Sequence, residues 1–146
     1  NIIIAISSPN TKRLLYSEFK DKGFKFPILI HSSSIVSETA ELKDGVVINP
    51  MCMVGPKVSI GRCVYINYQV GIGHDSTIGE FTQINPGSQL GGFTTIRGDS
   101  IIGSNSTILQ KTYIEQNITV GSASVVMGKK LKKGTIAPLF SKYLPF

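Results

Sequence analysis

Branched aliphatic residues recur at every sixth position from Val36 to Val126, and the register never slips. The series is Val36, Leu42, Ile48, Val54, Ile60, Ile66, Ile72, Ile78, Ile84, Leu90, Ile96, Ile102, Ile108, Ile114, Val120 and Val126. A fixed short period held this long marks a β-solenoid rather than alternating strands or an amphipathic helix. Six residues per side suit a coil with three flat sides, roughly eighteen residues per turn, with coils stacked about 4.8 Å apart. Each aliphatic then points into a triangular prism. Four residues later stands a small or moderate side chain, as in Cys52, Val58, Val64, Val70, Ser76, Thr82, Ser88, Thr94, Ser100 and Ser106. Such residues fit a second inward position. Immediately after the aliphatic, Gly or Asn is common, as in Asn49, Gly55, Gly61, Asn67, Gly73, Gly79, Asn85, Gly91 and Gly103. These types tolerate corner geometry, including φ > 0. The hexad therefore predicts a strand of about four residues and a corner of about two.

The first thirty residues do not follow the hexad. Asn1 to Ile6 is a short apolar run that predicts a buried strand. Ser8-Pro9 predicts a helix start, with Ser8 as N-cap and Pro9 at the first helical position. Leu14, Leu15 and Phe19 supply an apolar helix face, and Gly23 is placed to end the helix. Phe26 to Ile30 reads as a second strand leading into the solenoid. The expected organisation is a strand–helix–strand segment over 1–30, a solenoid over 31–134 and a C-terminal tail over 135–146. The chain begins without Met, which suggests a piece of a longer protein.

Composition narrows the functional classes. The chain has 146 residues, enough for one core. No apolar run is long enough to span a bilayer and no signal peptide is evident, so no membrane insertion and a cytoplasmic location are expected. Cys52 falls in an inward slot and Cys63 near a corner, and both read as structural. The net charge is +6, with Lys129, Lys130, Lys132 and Lys133 clustered near the end. Neither aromatic interleaving nor a nucleic-acid-binding motif accompanies that charge, so small polyanionic substrates are the expected partners.

Candidate chemistry rests on few residues. There are two histidines, His31 and His74. His31 lies at the junction into the first coil and reads as structural. His74 lies two residues after Ile72, on a corner and pointing outward. By itself such a residue is an ordinary surface histidine. Asp75 is adjacent, however, and a carboxylate there could orient the imidazole. Eighteen residues on from His74 is Gly92, then Gln110, so a glycine stacks directly over a possible base. A bare backbone N–H is what a developing oxyanion needs nearby.

At this point the chain resembles the left-handed parallel β-helix, or hexapeptide-repeat, acyltransferases. The handedness follows from the resemblance and departs from the usual right-handed crossover. Within that family, His74-Asp75-Ser76-Thr77-Ile78-Gly79, followed by Pro86-Gly87 and Gly91-Gly92, is similar to one subgroup. This comprises the sialic acid O-acetyltransferase-like and nucleotide 4-amino-sugar N-acetyltransferase enzymes. In sugar-modifying members a small Rossmann-like domain precedes the β-helix and holds the nucleotide. The segment over 1–30 looks like the second half of such a domain.

The resemblance implies an acetyl-CoA-dependent acetyltransferase acting by direct transfer on an amino group of a nucleotide-linked amino sugar. It implies His74 as general base, Asp75 as its orienting carboxylate and the Gly92 N–H facing the thioester oxygen. It places Gln83, Ser104 and Ser122 beside CoA and Asn67 near the acceptor, with CoA in a groove between subunits of a homotrimer. No metal is implied. Asn49, Asn67 and Asn85, eighteen apart, could stack as a ladder. A hydroxyl acceptor such as sialic acid is the alternative. A non-catalytic solenoid is a further alternative, but it leaves His74-Asp75 and Gly91-Gly92 unexplained. A γ-type carbonic anhydrase would need a third histidine.

Overall fold

The computed structural model describes residues 1–128 and the backbone of Thr135 and Ile136. The lysine cluster at Lys129, Lys130, Lys132 and Lys133 and the tail beyond Ile136 lie outside the described residues. The chain winds as a three-sided solenoid of parallel strands. The first sheet stacks β1 (Leu29–Ile30), β4 (Val47–Ile48), β7 (Tyr65–Ile66), β10 (Gln83–Ile84), β13 (Ile101–Ile102), β16 (Thr119–Val120) and β18 (Thr135–Ile136). The second stacks β2 (Ile35–Val36), β5 (Met53–Val54), β8 (Gly71–Ile72), β11 (Gln89–Leu90), β14 (Thr107–Ile108) and β17 (Val125–Val126). The third stacks β3 (Glu41–Leu42), β6 (Ser59–Ile60), β9 (Thr77–Ile78), β12 (Thr95–Ile96) and β15 (Tyr113–Ile114). Ile66 pairs with Ile84, and Ile84 with Ile102, so one coil is eighteen residues as the period requires.

The ladder aliphatics from Ile48 to Val126 are buried and form one continuous core, with Val36 and Leu42 packed at its N-terminal end. The second inward slot is buried as well. Its occupants are apolar in the first coils (Val46, Cys52, Val58, Val64, Val70) and mostly hydroxyl-bearing from Ser76 onward. Most of those hydroxyls hold corner carbonyls together, whereas Thr82 Oγ1 is buried with no hydrogen-bond partner. Ser88 Oγ donates to Asn85 O (2.9 Å) and Gly103 O (2.8 Å), and Thr94 Oγ1 to Gly91 O (2.6 Å). A buried hydroxyl costs little when it is bonded in this way.

The corners differ from expectation. Each paired strand is two residues long, so the corner takes up four. The left-handed backbone falls three residues after the aliphatic, on Lys57 (φ 56°), Asp75 (55°), Phe93 (57°) and Lys111 (61°) among others. It does not fall on the glycine directly after the aliphatic. That glycine answers a different need, the close approach of the next coil. A Cβ on Gly73 would stand 2.5 Å from Gly92 N, and one on Gly61 would stand 2.6 Å from Glu80 N. Backbone atoms cannot step aside as a side chain could. The three asparagines stack in backbone register, but their side chains bond elsewhere. Asn49 Nδ2 donates to Ile66 O (2.9 Å), and Asn67 Oδ1 accepts from Tyr68 N (3.0 Å). No side-chain ladder forms among them.

The N-terminal segment lies against the corner between the third and first sheets. Helix α1 (Pro9–Asp21) starts as expected, with Ser8 Oγ accepting from Thr11 N and Pro9 in the first turn, and Gly23 (φ 80°) follows its end. The inward face is Pro9, Lys12 and Tyr16, flanked by Leu15 and Phe19. Leu14 is 72% exposed, because the phase set by the Ser8-Pro9 start turns it to solvent. Tyr16 packs with Ile4, Phe26, Cys63 and Phe81 in a second small core. Asn1 to Ile6 is extended and Ile4 is buried, but it forms no ladder among the described residues. Ile2 N donates to Lys25 O (2.9 Å). From the predicted strand over Phe26 to Ile30, only Leu29–Ile30 pairs. Arg13 clamps Asp99 of the solenoid with two hydrogen bonds from Nη2 (2.9 and 2.7 Å). Among the described residues no helix is long and apolar enough to cross a membrane.

Candidate active site

The corner between the second and third sheets carries the triplets Gly73-His74-Asp75 and, one coil above, Gly91-Gly92-Phe93. Its shape is set by the backbone. Phe93 N donates to His74 O (2.9 Å) and Lys111 N to Gly92 O (3.0 Å), so successive corners stack in register. Left-handed Asp75 turns its carboxylate back toward its own corner. Asp75 Oδ2 lies 2.8 Å from His74 Nδ1. An ionised carboxylate only accepts, so Nδ1 carries the proton and, in the neutral ring, Nε2 keeps its lone pair. The imidazole is 54% exposed and the carboxylate 34%. This is a surface site that a substrate can reach.

Gly92, one coil above, faces that ring with no side chain of its own. A Cβ there would come within 2.8 Å of His74 Nε2 and 2.9 Å of Cε1. No acceptor is paired with the Gly92 N–H among the described residues. A ring nitrogen with a free lone pair thus sits beside a residue whose backbone N–H has no partner among the described residues. Such an arrangement can take a proton from a nucleophile and stabilise an oxyanion in the same place. Ser76, the nearest hydroxyl in sequence, is buried and spent on carbonyls, donating to Gly91 O at 3.3 Å.

His74, Asp75 and Gly92 are therefore brought together. The other predicted residues lie elsewhere on the chain. Asn67, Ser104 and Ser122 stand on the corner between the first and second sheets, one side of the prism away. Ser104 and Ser122 stack there, with Ala123 N donating to Ser104 O (2.8 Å). Gln83 is buried in the first sheet, 4% exposed, with Nε2 donating to Asn85 Oδ1 (3.1 Å) and Oε1 unpartnered. Asn67 and Gln83 do share an open cavity of about 240 Å³, lined also by Tyr65 and by Ala5, Ile6 and Ser7 of the N-terminal segment. His31 is exposed and bonds within its own turn, Nδ1 to Ser33 Oγ at 2.9 Å. Sequence reasoning missed Ser7 and Tyr65 at the cavity and Phe93 beside the imidazole. Phe93 was within reach of the period, since it stands eighteen residues after Asp75.

No protein-family model matches the chain. Among solved structures, it superposes on the acetyltransferase domain of PglB from Neisseria gonorrhoeae FA1090 with a TM-score of 0.91 and 28% identity. That match covers 99% of this chain and 70% of that one. It also superposes on perosamine N-acetyltransferase from Caulobacter crescentus, a histidine-to-asparagine mutant in complex with CoA and GDP-perosamine. There the TM-score is 0.91 at 22% identity, covering 96% and 67% of the two chains. WeeI from Acinetobacter baumannii AYE matches with a TM-score of 0.82 and 21% identity, over 94% and 64%. The chain spans about two thirds of the length of these proteins. Its fold is the left-handed parallel β-helix that they share.

Proposed function

We propose that this chain is an acyltransferase that moves acetyl from acetyl-CoA to an amino group of a nucleotide-linked amino sugar, with His74 as general base. The observation that carries the reading is the Asp75–His74–Gly92 arrangement on one corner. Two likenesses support it. The PglB domain is an acetyltransferase solved in complex with acetyl coenzyme A, at 26% identity. The perosamine enzyme was solved with CoA and GDP-perosamine.

In this reading the acceptor nitrogen attacks the thioester carbonyl carbon while His74 Nε2 takes its proton. Asp75 holds Nδ1–H and steadies the imidazolium that forms. The Gly92 N–H faces the oxyanion. Collapse breaks the C–S bond, and the thiolate of CoA leaves with the proton returned by His74. No acyl-enzyme intervenes, because neither Ser nor Cys pairs with a base here. Base catalysis of this kind is worth about 10²- to 10⁴-fold, and holding two substrates together supplies more.

The chain works as a homotrimer in the cytoplasm. One end of the prism argues for assembly: on the second sheet Ile35 (66%) and Met53 (60%) are exposed in neighbouring coils with Met51 beside them, while Gly71, Gln89 and Thr107 separate them from exposed Val125 (70%) and Met127 at the far end. An apolar patch of this kind is a natural surface for a partner subunit. Trimer packing would set the His74 corner of one subunit against the neighbour's corner bearing Asn67, Ser104 and Ser122. CoA would lie in the groove between them. Gln83, Ser104 and Ser122 would line CoA, and Asn67 would meet the sugar.

The test is CoA release from acetyl-CoA by the full-length protein. The acceptors are GDP-, UDP- and dTDP-linked 4-amino sugars, with sialic acid as the hydroxyl acceptor. Release with at least one amino sugar is expected. Release with sialic acid alone, or with no acceptor, would overturn the assignment.

A further inference from the structure

Two groups flank the His74 imidazole, and the mechanism above uses only one. Asp75 approaches it at Nδ1. On another side stands Phe93, with ring centroids 5.2 Å apart and planes at 84°, an edge-to-face contact. Phe93 occupies the corner place of Asp75 one coil later, in the same left-handed conformation (φ 57°), and its N–H holds the His74 carbonyl at 2.9 Å. Its ring is 50% exposed and belongs to neither hydrophobic core. Packing therefore does not account for a large aromatic at this corner, whereas the contact with the imidazole does.

We infer that Phe93 is a positioning residue for the base. Its ring bars the imidazole from swinging away from Gly92 and covers one side of it from water. Asp75 alone holds the exposed ring by a single hydrogen bond, and whenever that bond breaks the side chain can turn about its own bonds. A second contact opposes that turning, and edge-to-face aromatic pairs are worth about 0.5–1.5 kcal/mol beyond burial. The inference rests on His74 being the base, but the geometry can be tested without any acceptor.

The chain has only two histidines, so NMR resolves both sets of ring protons. His74→Asn assigns them by removing one set. An aromatic ring at this distance displaces the His74 ring-proton resonances. Phe93→Leu should move those resonances and leave His31 and the melting temperature where they were, and Phe93→Tyr should keep the wild-type position. With the best acceptor from the panel above, Phe93→Leu should lower kcat about 10-fold, leaving the KM for acetyl-CoA within about 2-fold. Phe93→Tyr should restore most of the loss. Unmoved His74 resonances in Phe93→Leu would show that the contact is absent in solution and would overturn the inference. So would a shifted resonance with unchanged kcat. Wild-type turnover by His74→Asn would instead sink the base assignment, a separate result from either of these.

Discussion

Two glycines at the active corner look alike in sequence and do different work. Gly73 lets the next coil come close, since its Cβ would meet backbone, Gly92 N at 2.5 Å. Gly92 leaves room for the base, since its Cβ would meet the mobile end of a side chain, His74 Nε2 at 2.8 Å. The two substitutions should part accordingly. Gly92→Ala should fold with a nearly unchanged melting temperature, because only one half-exposed side chain has to shift, against its contacts with Asp75 and Phe93, yet lose about 10²-fold in kcat from that displacement. Gly73→Ala has nothing to displace but main chain and should lower the melting temperature as well. Circular dichroism melts beside CoA-release assays distinguish the two. Equal losses of stability would remove the special role given to Gly92. The stacking of His74 under Gly92 was legible from the period alone, because side chains eighteen apart share a corner. The third corner place as the seat of positive φ was not legible. Lys, Asp, Phe, Asn and Ala all occupy it, and composition gives no sign where coil geometry rather than residue preference imposes the conformation.

Helix α1 shows how far a sequence pattern carries an element and where it stops. Ser8, Pro9 and Gly23 marked its ends from local chemistry. Its inward face was assigned in part: Leu15 and Phe19 do pack against the second core, but Leu14 faces solvent and the residue at the centre of the face is charged. Lys12 is fully buried against the solenoid, its Nζ donating to Thr82 O at 3.2 Å. No hydrophobic pattern announces a buried lysine. Burial holds its amine down at about 8, against the opposing pull of Cys63 and Asp99. The unfolded chain keeps an amine near about 10.4. Below pH 8 both states are charged and the folded one bears the whole desolvation cost. Between pH 8 and about 10.4 the folded state is neutral while the unfolded state still binds a proton, so this contribution to stability rises with pH. Lys12→Met should therefore stabilise the chain at pH 7 by about 3 kcal/mol, an advantage that fades toward pH 10.4. Urea melts of both chains across that range measure it. Taking the difference removes the part of the profile that belongs to Cys63 alone, whose thiol burial pushes up to about 11 and whose effect runs the other way, and leaves that of Lys12 together with its coupling to Cys63. A constant difference at all pH values would mean that burial does not lower the amine.

At the scale of the whole molecule, the hexad gave the prism, its three sheets and its core from Ile48 to Val126. It could not say which surface residues belong to one site. His74 and the Asn67–Gln83 cavity lie on different sides of one chain, a separation that only the winding reveals. Assembly would close it. Chains carrying His74→Asn and chains carrying Asn67→Ala should each be inactive as homotrimers, and co-expressed mixtures should regain turnover. In mixed trimers an intact His74 on one subunit would face an intact Asn67 on the next. Light scattering on the same samples reads the oligomer. A mixture that stays dead while remaining trimeric would place both residues in a single subunit's site.

The eighteen-residue coil also gives this chain a reading frame. Loss of a whole coil shortens the rod and leaves every face where it was. Loss of one hexad keeps each aliphatic inside, so the core would scarcely register the change. Everything beyond the cut would nevertheless turn by one side of the prism. A bare glycine would then stand over the wrong corner, and a base over main chain with no room for it. Evolution of such a chain can therefore add or drop length in multiples of three hexads at small cost to chemistry. Single-hexad changes are a different kind of event: nearly silent in the core, they change the geometry of every site that spans two coils.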